Sequence, residues 1–168
     1  MTPTANYQIR PYGKDDLPVL AGIYRDAIRH RGPECYSEQQ VAAWSSFPDA
    51  LRDFEYWLTS ATTWVAVDRH DNCIGFTALE EPGRISALFV APAWMGQGVG
   101  YGLLNHLLKE ARLGSCQTVT TEASEFSRPL FEKFGFVVLE IEHTEFKGVA
   151  FTRYAMQTEF QRGSGDAC

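Results

Sequence analysis

From Ile85 to Leu108 the chain runs for 24 residues without one Asp, Glu, Lys or Arg. A membrane-spanning helix needs about 20 apolar residues, so the length alone would suffice. The content does not suit one: the run holds Pro92, Gly96, Gln97, Gly98, Gly100, Gly102, Asn105 and His106. Four glycines at alternate positions and a proline penalise a continuous helix, and we expect no membrane partner. The absence of charge therefore needs another explanation within a folded domain.

The glycines supply it. They fall between an apolar stretch, Ile85–Val90, and a stripe formed by Leu103, Leu104, Leu107, Leu108 and Ala111 at helical spacing. A glycine-rich turn that opens a helix leaves the first N–H groups without internal acceptors, at the positive end of the helix dipole. Such a turn favours a phosphate or pyrophosphate. The Walker loop is absent, because Leu103 and Leu104 stand where its Lys and Ser/Thr would fall. The dinucleotide fingerprint fails on spacing, and Ala91–Met95 separate the strand from the glycines.

The remainder of the chain bounds the fold. Its 168 residues, 45% hydrophobic and 21% charged, suit a single domain over 1–160 with its own core. Residues 161–168 read as a frayed tail. The net charge of −6 argues against a nucleic-acid partner. The N-terminus has no signal-peptide pattern, and Cys35, Cys73, Cys116 and Cys168 form no C-x-x-C, so we expect a reducing cytoplasm and no metal site.

Periodicity orders the elements. Tyr7–Tyr12 alternates as a strand. Asp15 or Asp16 caps a helix carrying Leu17, Leu20, Ala21, Tyr24 and Ile28 on one face. Ser37 and Gln40 make a capping box before Val41 and Trp44. Asp49 caps a third helix whose Leu51, Phe54 and Leu58 share a face. Strands follow at Thr63–Asp68, Cys73–Leu79 and Ile85–Val90, then the glycine-led helix, then a strand at Val119–Glu122. Ser127 and Pro129 open a short helix closed by Gly135, and Phe136–Ile141 with Val149–Met156 form a final hairpin. A meander followed by strand–helix alternation implies an α+β fold with a mixed sheet.

Two motifs carry a family resemblance. Val90-x-Pro92-x-Trp94-x-Gly96-x-Gly98-Val99-Gly100-x-x-Leu103-Leu104 is similar to the acetyl-CoA motif of the GNAT N-acetyltransferase superfamily. Ser124-x-x-Ser127-x-x-Leu130-Phe131-x-x-x-Gly135-Phe136 matches the spacing of the family's second pattern. Tyr36-Ser37-x-Gln39-Gln40-x-x-x-Trp44 and the ending Gly148–Met156 look like the YafP-like branch, so the resemblance covers residues 7–157. It implies a mostly antiparallel sheet of about seven strands flanked by helices. One strand pair would splay into a slot for acetyl-CoA. The cofactor residues it implies are Leu88, Phe89, Val90, Met95, Gly96, Gln97, Gly98, Val99, Gly100, Tyr101, Gly102, Ser124 and Phe131. The chain departs from the pattern twice: Met95 replaces the usual Arg or Gln, and Phe131 replaces the tyrosine that commonly serves as acid.

The implied chemistry is direct acetyl transfer to an amine. An alkyl amine, with a pKa near ~10.4, is charged at pH 7 and must lose a proton before attack. The tetrahedral intermediate needs N–H donors, expected near Leu88, Phe89 and Val90. The thiolate leaves without much acid help, because a thiol has a pKa of about 8.5. Glu122 is our first choice of base, with Glu80 and His106 behind it, and Tyr154 can donate a proton or hold substrate. An acetyl-cysteine route through Cys116 or Cys35 lacks a base at catalytic spacing. Tyr36, Trp44 and Glu80 are expected at the acceptor pocket for a small amine or peptide. The chain would act as a monomer or homodimer. Two other readings stand beside this one: a non-catalytic CoA-binding regulatory module, and a nucleotide-dependent oxidoreductase that the glycine spacing disfavours.

Overall fold

The computed structural model describes residues 6–161. The proposed tail and Cys168 lie outside the described residues, apart from Gln161. In chain order the elements are β1 (Tyr7–Pro11), α1 (Leu17–Arg31), α2 (Glu38–Ser45), α3 (Leu51–Thr59), β2 (Thr62–Asp68) and β3 (Cys73–Glu80). Then come β4 (Arg84–Val90), α4 (Val99–Leu113), β5 (Thr118–Ala123), α5 (Arg128–Lys133), β6 (Val137–Phe146) and β7 (Val149–Glu159). The seven strands make one open sheet in the order β1-β2-β3-β4-β5-β7-β6. Every pairing is antiparallel except β4 with β5.

Alternation in β2 and β3 divides the core between the two sheet faces. Val65, Val67, Phe76 and Ala78 pack with Leu20, Tyr24, Ile28, Phe54 and Leu58 of α1 and α3. Trp64, Ala66 and Ile74 face the opposite way, where Leu103, Leu104 and Leu107 of α4 are fully buried. Each such leucine contributes roughly 1.5–3 kcal/mol by leaving water. The uncharged run is thus one strand, a turn and a helix that fills the core, and among the described residues no helix is long and apolar enough to cross a membrane.

Three local expectations change. Asp16 stands at the N-cap of α1, but its carboxylate turns back to accept the Gly13 N–H at 2.8 Å and two Arg10 N–H groups at 2.8 and 2.9 Å. Asp49 does not cap α3. It lies in a preceding 3-10 turn, paired with Arg25 at 3.0 Å, which leaves Ala50 as N-cap and Leu51 outside the core. The final hairpin is longer than its apolar pattern, because β6 is an edge strand and Glu142, His143 and Glu145 extend it without needing burial. The Ser37–Gln40 capping box forms as expected, with bonds of 2.9 and 3.1 Å.

Candidate active site

Strands β4 and β5 share only two paired positions, Arg84 with Thr120 and Ile85 with Thr121, and then part. A register shift against β3 lies at the same level. Leu79 pairs with Ile85 and Ala78 with Ala87, leaving Ser86 as the extra residue of a bulge. The ladder with β3 then resumes and ends with the Ala91 N–H donating to the Ile74 carbonyl at 2.8 Å. Antiparallel alternation therefore turns the Phe89 N–H to β3 and those of Leu88 and Val90 to the opening. Of the three amides expected at the slot, two face it. Phe89 instead contributes its ring to the other face, 5.4 Å from Phe76 and 4.6 Å from Tyr24.

The turn beyond β4 is built by its glycines. Gly96 and Gly98 have φ of +74° and +83°, and a Cβ on either would meet nothing within 4 Å. These positions are glycine because of backbone conformation, on the open side of the loop. Helix α4 starts at Val99 with Gly98 as N-cap, so the amides of Gly98, Val99, Gly100 and Tyr101 have no acceptor within the helix. Met95 is extended and half-buried. The Gln97 side chain is committed locally, its Nε2 donating to the Ala93 carbonyl at 2.9 Å. Tyr101 is exposed and leans on Phe134 at 4.6 Å.

Gly100 and Gly102 differ from the other two. A Cβ on Gly100 would make ordinary contact with Leu130 and Val90. One on Gly102 would stand 1.9 Å from the Tyr7 hydroxyl, which reaches over the first turn of α4 and donates to the Gly98 carbonyl at 3.1 Å. The Gly102 amide is itself bonded to that carbonyl at 2.9 Å. Gly102 was expected among the cofactor groups; it is required by packing, and its N–H is occupied.

At the vertex of the opening sits a charged triad. Arg84 Nε donates to both oxygens of Glu122 at 2.9 and 3.1 Å, and its Nη1 to Glu80 at 2.8 Å. The expected base and the expected substrate carboxylate are therefore both occupied by one guanidinium. Arg84 fell just outside the expected strand, and 38 residues separate it from Glu122, so local pattern could not pair them. His106 packs edge-on against Trp64 at 5.4 Å, inside the α4 flank. Cys116 precedes β5, at the end away from Ser124, with Sγ directed at the Pro82 and Thr118 carbonyls. Phe131 is buried at 2% exposure, 5.1 Å from Phe136.

A second group gathers at the far end of β5. Ser124 and Ser127 exchange hydrogen bonds at 3.0–3.2 Å. The next residue, Glu125, donates its N–H to the Tyr36 hydroxyl at 3.1 Å and accepts the Tyr154 hydroxyl on Oε1 at 2.5 Å. The Arg128 guanidinium lies 4.5 Å over the Tyr154 ring. The bond to Glu125, together with burial, raises the Tyr154 phenol above its ordinary value, so it stays protonated at neutral pH. Tyr36 also meets Trp44 at 5.4 Å, Phe126 at 5.6 Å and Phe151 at 6.4 Å. Helix α2 is tied to the β6–β7 hairpin through Gln40 Nε2 to the Ala150 carbonyl at 3.0 Å and Lys147 Nζ to Ser46 Oγ at 2.6 Å. Of the residues expected from sequence, Tyr36, Trp44 and Tyr154 come together here; Glu125, Phe126 and Phe151 join them and were not singled out, because their meeting is set by the sheet and not by local sequence.

Comparison with known proteins agrees with this geometry. Residues 34–158 match the family model of the acetyltransferase (GNAT) domain. The chain is 31% identical over 152 residues to the uncharacterised N-acetyltransferase YafP of Escherichia coli, covering 90% of this chain and 95% of that one. It is 34% identical over 114 residues to the peptidyl-lysine N-acetyltransferase YjaB of the same organism, covering 60% and 76%. A GCN5-related N-acetyltransferase structure from Rhodopseudomonas palustris superposes with a TM-score of 0.88 at 29% identity, over 91% of this chain and 95% of that one.

Proposed function

The chain belongs to the GNAT acetyltransferase family as a YafP-like member and is an acyltransferase, and from that premise we propose that it transfers an acetyl group from acetyl-CoA directly to a primary amine. The observation that carries this reading is the junction of two features: a strand opening lined by the unpaired Leu88 and Val90 amides, continuous with a turn that offers four free N–H groups.

The two features divide the work. The positive-φ turn at Gly96 and Gly98 leaves room for a pyrophosphate against the amides of Gly98, Val99, Gly100 and Tyr101, and the α4 dipole adds to the attraction. No basic side chain lies in the run, so backbone groups supply nearly all of that hold. The pantetheine arm fits between β4 and β5, with the acetyl oxygen toward Leu88 and Val90. Fixed N–H donors there stabilise the oxyanion as the amine adds. The carbon–sulfur bond then breaks with its electrons on sulfur. A thiolate is a good enough leaving group for the core position of Phe131 to be compatible with turnover.

The acceptor approaches from the α2 side, past Tyr36 and Trp44. It is a small amine or a peptide amine, and the work is done in the cytoplasm by residues 1–160 as one domain, monomeric or homodimeric. Thermal unfolding with CoA, acetyl-CoA and NAD tests the binding half. Ligand at 100 times Kd should stabilise by about 2.7 kcal/mol, or roughly 5–10 °C. A shift with NAD and none with CoA contradicts the reading. Thiol release from acetyl-CoA across amines, peptides and aminoglycosides tests the catalytic half; CoA binding without release by any acceptor would leave a regulatory module.

A further inference from the structure

We propose that Glu125 is the base of the reaction and that it works through the Tyr154 hydroxyl as a proton relay. The inference rests on the acetyltransferase reading above. Phe131 has no proton to exchange, and Arg84 occupies Glu122 and Glu80. Glu125 lies at the mouth of the opening and is not engaged by Arg84. Carrying the Ile85–Thr121 register forward three residues brings Ser124 level with Leu88, whose amide faces the slot, and Glu125 is the next residue. Among the described residues it makes no ion pair, and its Oε1 accepts the Tyr154 proton. Its backbone is fixed by Tyr36, and Tyr154 is held between β5 and β6 by pairing with Ala123 and Ile141.

The direction of the Tyr154 hydrogen bond sets the chemistry. Because the phenol proton points at Glu125, the phenol oxygen keeps a lone pair for an incoming ammonium. One N–H bond of the ammonium breaks and its proton passes to the Tyr154 oxygen, while the tyrosine's own proton moves to Glu125 Oε1. The freed nitrogen lone pair forms the bond to the acetyl carbon. The carbon–sulfur bond breaks with its electron pair on sulfur, and the second nitrogen proton neutralises the thiolate. One amide, one thiol and one proton on Glu125 result, and that proton is lost to water. The Arg128 cation over the Tyr154 ring favours electron density on the phenol during the transfer.

Glu125→Gln and Tyr154→Phe keep the size of each side chain and test the relay. We would measure thiol release with the best alkylamine among ethanolamine, putrescine, spermidine, free lysine and glucosamine, and with methoxyamine, which is neutral at pH 7. CoA binding, read by calorimetry, should stay within about twofold and shows that both variants fold. Each variant should lower kcat/KM for the alkylamine by about 10²–10³-fold. The double variant should lose no more than either single one, because the two residues act as a unit. Methoxyamine needs no deprotonation and should lose less than about tenfold. Equal losses with both amines, or an alkylamine loss below about tenfold, overturn the relay while leaving the acetyltransferase reading intact. If the wild-type protein releases no thiol with any amine, both fall.

Discussion

Gly98 and Gly102 stand four residues apart on one motif and are glycine for unrelated reasons. At Gly98 the backbone is left-handed and the space beside it is empty; at Gly102 the backbone is helical and the space is filled by Tyr7. Gly98→Asp should therefore strain the fold by about 1–2 kcal/mol. It also sets a carboxylate where the pyrophosphate would lie, so CoA affinity should fall beyond calorimetric detection while the protein still unfolds cooperatively. Gly102→Ala should do the reverse: overpacking costs about 1–3 kcal/mol, and the fraction that remains folded should bind CoA within about threefold of wild type. Paired melting and calorimetry on the two variants separates the causes. That the motif is a glycine turn opening a helix is legible from composition and spacing alone. That its last glycine belongs to β1 packing is not, since Tyr7 lies 95 residues away.

At the scale of elements, α2 owes its position to the hairpin it touches. The capping box fixes where α2 begins, and this was legible because Ser37 and Gln40 are local partners. What lies against it was not, because Ala150 bonds Gln40 of α2 while Phe151 and Lys147 reach Tyr36 and Ser46 at its two ends, all from the β6–β7 hairpin. Trp44→Ala should raise KM for the amine at least about tenfold and leave KM for acetyl-CoA unchanged in steady-state kinetics; equal changes would remove Trp44 from the acceptor wall. The pairing of Glu122 with Arg84 was hidden for the same non-local reason. A carboxylate at a strand end reads as free until the parallel neighbour is known, and β5 places it on Arg84. Strand boundaries, by contrast, follow from a continuous run of buried residues where both faces are covered, as in β2 and β3, and drift on an exposed edge strand such as β6.

The whole molecule joins an antiparallel meander to a strand–helix half along one parallel contact, and the opening at that contact is the proposed site. The meander end is anchored by Arg10, which bonds the nearly buried Asp16 and holds its carboxyl down to about 2, aided by the Gly13 N–H. The fold thus favours ionised Asp16. The stabilisation is complete above pH 4 or so and disappears as pH falls through about 2. Asp16→Asn should lower stability by about 1–2 kcal/mol at pH 7, and its melting temperature should converge on that of wild type near pH 2. A difference that persists at pH 2 would assign Asp16 a role other than its charge. For the molecule as an enzyme, the most direct measurement is the mass of the acceptor after incubation with isotopically labelled acetyl-CoA. The labelled acetyl group should appear on the nitrogen of at least one primary amine with wild-type protein, and on none with Gly98→Asp. Wild-type protein that binds CoA yet labels no amine, or Gly98→Asp that labels as well as wild type, would contradict the account.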